Sequence, residues 1–270
     1  METVDIQVTY NLSTIHFLRF GSGREVLIAF HGFGESGKSF LALRNALGSR
    51  YTVYAMDMPY HGATQWREQH HYNKNDLQAI LELLLEQEQI RRFELLGFSM
   101  GGKNAMAAVK MFPESVQRLY LLASDGIQTK RVYNVAVYPA WGRKIFHSVV
   151  AHPGWLFACI KAFRRLGIIS PWLHKFTFNH LNTREKRQRL YDTWVSMADF
   201  QIQLPALRQL LNKHAIPVVL IFGERDEVIP PAVATIFAKG VDHATIHIIQ
   251  RGHYFIDDRF DPVLMKLLPQ

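Results

Sequence analysis

Cysteine is almost absent from this chain: of its 270 residues, only Cys159 carries a thiol. A lone cysteine forms neither an internal disulfide nor a thiolate zinc cluster, and such usage suits a reducing cytoplasm, the location expected here. Long apolar runs are missing as well. No stretch approaches the roughly 20 residues that span a bilayer. The start, Met1-Glu2-Thr3-Val4-Asp5, has neither the basic opening nor the apolar block of a secretion signal. Internal repeats and low-complexity tracts are also lacking. Acidic residues run short in one region: from Ile127 to Pro205 there are twelve Lys or Arg against three Asp or Glu, a net +9, while the remainder carries −1. The overall charge of +8 therefore belongs to one segment. With 48% hydrophobic and 20% charged residues, the composition is that of an ordinary globular protein.

What is present is organised around Gly97-Phe98-Ser99-Met100-Gly101-Gly102. The β-prone run Phe93, Leu95, Leu96 leads into it, and the helix formers Lys103 to Ala108 follow, so it reads as strand, sharp turn and helix. Gly97 and Gly101 remove Cβ atoms that would collide across so tight a turn. Ser99 is then lifted clear of the sheet, and the Met100 N–H stands at a helix N-terminus, where an oxyanion can be held.

The flanking chain supplies a rhythm. Val4 to Tyr10 and Ile15 to Phe20 form an antiparallel hairpin by alternation. The runs Val26–Phe30, Tyr51–Met56, Val116–Ala123, Pro217–Phe222 and Thr245–Ile249 read as strands, the first two apolar enough to be covered on both faces. Helices are expected over Lys38–Leu47, Asn75–Ile90, Pro231–Lys239 and Asp261–Leu268. Alternation of this kind implies parallel pairing through right-handed crossovers. It is interrupted over Ile127–Pro205, which is helical, aromatic and basic. The expected organisation is one α/β domain, residues 1–126 and 206–270, with an insertion at 127–205.

A serine hydroxyl needs a base, and a neutral imidazole serves near pH 7 when a carboxylate fixes its tautomer. In open α/β sheets the reacting groups lie at the carboxyl ends of strands. His253, in Gly252-His253, directly follows the last expected strand, and Asp226, in Gly223-Glu224-Arg225-Asp226, follows the one before. Glu224 and Asp125 are rivals of Asp226, since each also stands at or near a strand end. The second oxyanion donor is expected at the Phe33 N–H, in His31-Gly32-Phe33-Gly34 after the strand Val26–Phe30. His31 itself reads as a loop-holding residue. The spacing Gly32, Gly37, Lys38, Ser39 also satisfies a phosphate-loop pattern, with Asp57 able to pose as its magnesium ligand. That reading leaves Ser99, Asp226 and His253 unexplained and is set aside.

These motifs, with Asp57-Met58-Pro59-Tyr60-His61-Gly62, make the chain similar to the α/β-hydrolase superfamily over all but the middle segment. The order Ser99, Asp226, His253 matches the order described for that fold. The resemblance implies a mostly parallel eight-stranded sheet flanked by helices, with 127–205 as a helical lid. It implies a Ser-His-Asp triad, an ester or related acyl substrate, and no cofactor or metal. The family usually has glycine where this chain has Tyr60, which leaves that loop's geometry open. Ser99 argues against the epoxide hydrolases and dehalogenases of the superfamily, which carry an aspartate nucleophile. Alternatives are carbon–carbon bond hydrolysis of a diketone-like substrate, and a slow-turnover ligand receptor on the same fold.

The insertion holds 13 of the 33 aromatic residues, among them Trp141, Trp155, Trp172 and Trp194. Bulky side chains give a thin helical layer its core, and they also suit an apolar or aromatic pocket for the substrate. Trp155, Cys159, Phe163 and Leu166 recur at helical spacing among Lys161, Arg164 and Arg165. A solvated helix is the ordinary reading of that pattern, and contact with an anionic membrane surface is the alternative. Nucleic acid is not an expected partner.

Overall fold

A computed structural model describes residues 2–128, 131–165 and 181–268. Trp172 and Leu166, singled out above, lie outside the described residues. The eight strands are β1 (Thr3–Tyr10), β2 (Ser13–Phe20), β3 (Glu25–Phe30), β4 (Tyr51–Met56), β5 (Phe93–Phe98), β6 (Val116–Leu122), β7 (Val218–Gly223) and β8 (Ala244–Ile249). They form one sheet in the order β1-β2-β4-β3-β5-β6-β7-β8. β1 and β2 pair antiparallel, β2 joins β4 antiparallel, and every pairing from β4 through β8 is parallel.

The central strands are apolar because both faces are covered. Every residue of β5 and β7 is buried, and each fully buried Leu, Ile or Phe contributes about 1.5–3 kcal/mol relative to exposure. The edge strands β1 and β8 are half-buried or exposed at every position except the buried Val8.

The helices are α1 (Arg44–Gly48), α2 (Lys74–Gln87), α3 (Gly101–Met111), α4 (Arg131–Val137), α5 (Ala140–Ala151), α6 (Gly154–Arg165), α7 (Arg184–Met197), α8 (Leu204–Lys213), α9 (Ala232–Ala238) and α10 (Asp261–Leu267). α2 begins at a reciprocal cap: the Asn73 side chain accepts the N–H groups of Asn75 and Asp76, and Asp76 accepts the Asn73 N–H. The expected helix Lys38–Leu47 is corrected. Gly37–Leu43 is a 3₁₀ helix and only Arg44–Gly48 is α-helical. Within the 3₁₀ helix the buried positions are Gly37, Phe40 and Leu43, a spacing of three that matches its three residues per turn.

The chain divides into two compact units. One comprises residues 1–128 and 200–270 and holds the sheet; the other is residues 129–199. Phe200 belongs with the sheet unit, where its ring lies 5.2 Å from that of Tyr72, and Leu207 and Leu211 of α8 are buried there too. The smaller unit packs its own aromatic centre, with Phe146 5.2 Å from Tyr191 and 5.5 Å from Trp194, and Tyr133 5.4 Å from Trp194. Among the described residues no helix is long and apolar enough to cross a membrane.

Candidate active site

The parallel register brings the key loops to one edge of the sheet. Phe30 pairs with Gly97, Phe98 with Leu122, Leu122 with Ile221, and Gly223 with Ile249. The segments that follow these strands therefore emerge together, the one after β3 beside the one after β5, and so on to β8.

Ser99 sits between β5 and α3 at φ 49°, in the left-handed region that a non-glycine residue occupies only when its surroundings hold it there. Three backbone bonds do so. The Ser99 N–H donates to Leu122 O at 2.9 Å, while Ser99 O accepts from Gly102 N–H at 3.0 Å and Asp125 N–H at 2.9 Å. The flanking glycines serve two different contacts. A Cβ on Gly97 would lie 2.5 Å from Gly102 Cα, across the turn as expected; one on Gly101 would lie 2.0 Å from Phe30 O. Gly101 thus lets α3 start against the end of β3.

The Ser99 hydroxyl lies 2.9 Å from His253 Nε2, and His253 Nδ1 lies 2.8 Å from Asp226 Oδ2. His253 and Asp226 are both buried. Since an ionised carboxylate only accepts, Nδ1 carries the proton and Nε2 is left to accept from the serine. The second oxygen of Asp226 accepts the N–H groups of Val228 and Ile229, each at 2.8 Å, so the carboxylate is held at both ends. The loop bearing His253 folds back over the end of β7, where Arg225 N–H donates to Arg251 O at 3.0 Å. Phe98 stacks on the imidazole with ring centroids 5.6 Å apart, and Tyr254, 70% exposed, meets it edge-on at 5.1 Å.

The rivals stand elsewhere. Asp125 faces Lys103 at 3.4 Å, and Glu224 is exposed. His31 is fully buried, 2.7 Å from Gly32 O through Nδ1, and accepts the Met58 N–H at Nε2 over 3.1 Å. Burial pushes its pKa down to about 4, so it stays neutral and ties the loop after β3 to the one after β4.

Asp57 is engaged by protein groups at both oxygens. Its carboxylate accepts Gly37 N–H and Ala63 N–H, both at 2.7 Å, and meets His16 Nδ1 at 2.9 Å. The Gly37 N–H that a phosphate loop would offer to an anion is consumed in the same contact. Tyr60 adopts φ 70°, the left-handed conformation its glycine counterpart would take freely. Its hydroxyl accepts the Tyr72 N–H at 3.1 Å.

Of the two expected oxyanion donors, Met100 immediately precedes α3, in the first turn, where N–H groups have no intrahelical acceptor. Phe33 lies in a turn after β3 closed by Glu35 N–H on Gly32 O at 3.3 Å. That turn also reveals a residue the sequence reading passed over. The Glu35 side chain folds back to accept the Gly32 N–H at 3.3 Å, within electrostatic reach of His253. Burial pushes its pKa up, opposed by the Gly32 N–H, the nearby His253 and the Ser39 hydroxyl. The available signal was an acidic residue in a loop that borders the serine.

Residues 25–161 match the alpha/beta hydrolase fold family, and the chain belongs to that family. Among its relatives, the uncharacterized hydrolase YugF of Bacillus subtilis is 24% identical over 248 residues, spanning 88% of this chain and 86% of the relative. The 2-hydroxy-6-oxononadienedioate/2-hydroxy-6-oxononatrienedioate hydrolase of Paraburkholderia phymatum is 26% identical over 274 residues, spanning 95% and 91%. A thermophilic esterase from Thermogutta terrifontis, solved with malate bound, shares the fold with a TM-score of 0.72 at 17% identity, over 99% of this chain and 97% of that one.

Proposed function

We propose that this hydrolase cleaves an ester or related acyl compound through an acyl-enzyme. The observation that carries the reading is the continuous line Ser99 Oγ, His253, Asp226, with contacts of 2.9 and 2.8 Å at a strained, backbone-fixed serine. In this reading His253 Nε2 takes the Ser99 proton as Oγ attacks the acyl carbon. The N–H groups of Phe33 and Met100 hold the resulting oxyanion, each contributing about 3 kcal/mol to transition-state stabilisation. Collapse expels the alcohol, which leaves with the proton from His253. Water then gives a proton to His253 and attacks the acyl carbon; the acid departs and Ser99 recovers its proton. The insertion's role as a lid and a cytoplasmic setting belong to the same reading, the latter supported by the exposed free thiol of Cys159. A fluorophosphonate is expected to label the folded protein at Ser99, and neutral p-nitrophenyl esters are expected to turn over many times. An adduct elsewhere, or none, overturns the mechanism. Labelling at Ser99 followed by a single slow turnover supports a receptor instead.

A second reading, carbon–carbon bond hydrolysis, is favoured by the Paraburkholderia phymatum relative, whose substrates are dicarboxylates by name. Glu35 weighs against transferring that substrate class. In its ionised form Glu35, within electrostatic reach of His253, repels a substrate that brings a second negative charge there. Replacing Glu35 by Gln is expected to raise kcat/KM for a carboxylate-bearing p-nitrophenyl ester, relative to its neutral isostere, on the order of tenfold. An unchanged ratio removes Glu35 as the discriminating charge.

A further inference from the structure

The helical unit leaves uncovered the kind of side chain it elsewhere uses as core. The inward face of α5 is Gly142, Phe146, Val149 and Val150, with Phe146 against Tyr191 and Trp194 of α7. On another face Trp141 is 58% and Ile145 50% exposed, four residues apart and so one above the other. Val135 of α4 is 51% exposed, and its carbonyl oxygen lies 1.9 Å from where a Cβ on Gly142 would fall, so α4 and α5 meet beside Trp141. Trp155, at the start of α6, is 44% exposed.

The α4–α6 stretch is basic in sequence, and α7, packed against α5, adds Asp192 on the side of Tyr191 that Arg143 also reaches. From Arg131 to Arg165 there are six Lys or Arg and no Asp or Glu. Arg143 and Lys144 sit between Trp141 and Ile145 in the chain and are exposed, as is Lys161 on α6.

We propose that the surface of α4 and α5 bearing Val135, Trp141 and Ile145 docks on an anionic phospholipid surface. Tryptophan and isoleucine projecting from a helix in a segment of net positive charge is the pattern that enters the headgroup region shallowly. The complementary partner is a sheet of phosphates bordering acyl chains, and the basic groups supply the attraction that brings the apolar ones into contact. This docking does not depend on which bond the enzyme cleaves.

The test is co-sedimentation of the full chain with vesicles of phosphatidylcholine alone or mixed with phosphatidylglycerol, at low and high salt. Binding is expected to the mixed vesicles, weakened by salt, and about thirtyfold weaker when Arg143→Gln and Lys144→Gln are combined. The double variant Trp141→Ser and Ile145→Ser is expected to lose about tenfold, with far-UV circular dichroism and melting temperature unchanged because both side chains are exposed. The conservative Trp141→Phe keeps the fold in any case. It is expected to lose much of the quenching of tryptophan emission by brominated lipid. No binding to anionic vesicles at low salt, equal binding to both vesicle types, or binding indifferent to both double variants overturns the proposal. So does self-association that the Trp141→Ser and Ile145→Ser variant abolishes while vesicles are ignored, which makes the face a contact between copies. Retention by heparin without vesicle binding makes it a site for another polyanion.

Discussion

Replacing Ser99 by alanine is expected to lower kcat on a neutral p-nitrophenyl ester by a factor on the order of 10⁶, as removal of the nucleophile does in other serine hydrolases, while the protein stays folded. The backbone bonds that hold the turn are made by the N–H and C=O of residue 99, to Leu122, Gly102 and Asp125. Alanine retains all of them. It has the same Cβ and so meets the same left-handed backbone, at φ 49°, without added strain. Only the hydroxyl facing His253 Nε2 is lost. Activity within tenfold of wild type would place the nucleophile elsewhere, and a large fall in melting temperature would show that the hydroxyl contributes to folding instead. Steady-state kinetics and a thermal melt on the same preparation separate the two.

Asp226→Asn is the second large effect, about 10⁴ in kcat. Its cause lies in how the carboxylate is held. One oxygen accepts the Val228 and Ile229 N–H groups at 2.8 Å each, so an asparagine must place its carbonyl oxygen there. Its NH₂ group is then aimed at His253 Nδ1, where the other carboxylate oxygen stood at 2.8 Å. A donor at that point forces Nδ1 to accept, which moves the imidazole proton to Nε2. Nε2–H can no longer take the serine proton, and the base is lost with its position unchanged. Fluorophosphonate labelling of Ser99 is expected to slow in parallel with kcat. Near-wild-type rates in Asp226→Asn, with a large loss in Asp125→Asn, would transfer the acid's role to Asp125.

The comparison of Asp226 with Asp125 shows where reading the chain stops. Each aspartate follows a strand of the same sheet, and nothing local distinguishes them. The folded chain turns Asp125 toward Lys103 and carries the loop after β8 back across β7 to Asp226. Glu35 was hidden for a different reason. Its neighbours Gly32, Gly37, Lys38 and Ser39 mimic a phosphate loop in spacing, a pattern set aside for leaving Ser99, Asp226 and His253 unexplained, and Asp57 occupies the Gly37 N–H in the fold. The placement of Phe200 is a third case. Phe200 belongs with the sheet unit through Tyr72, a residue 128 positions away in the chain.

The sequence by itself determined the strands, the tight turn at Ser99 and the candidate set Ser99, Asp226 and His253. These follow from apolar runs, helix formers and the absence of a Cβ at Gly97, all of which act over a few residues. Which carboxylate faces His253, and which acidic residue borders it, were decided only in the tertiary structure. Ser99 and His253 are 154 residues apart, and their 2.9 Å contact depends on the strand order β5-β6-β7-β8 and on the path of the last loop. Pairings of that kind are fixed by the packing of the whole sheet.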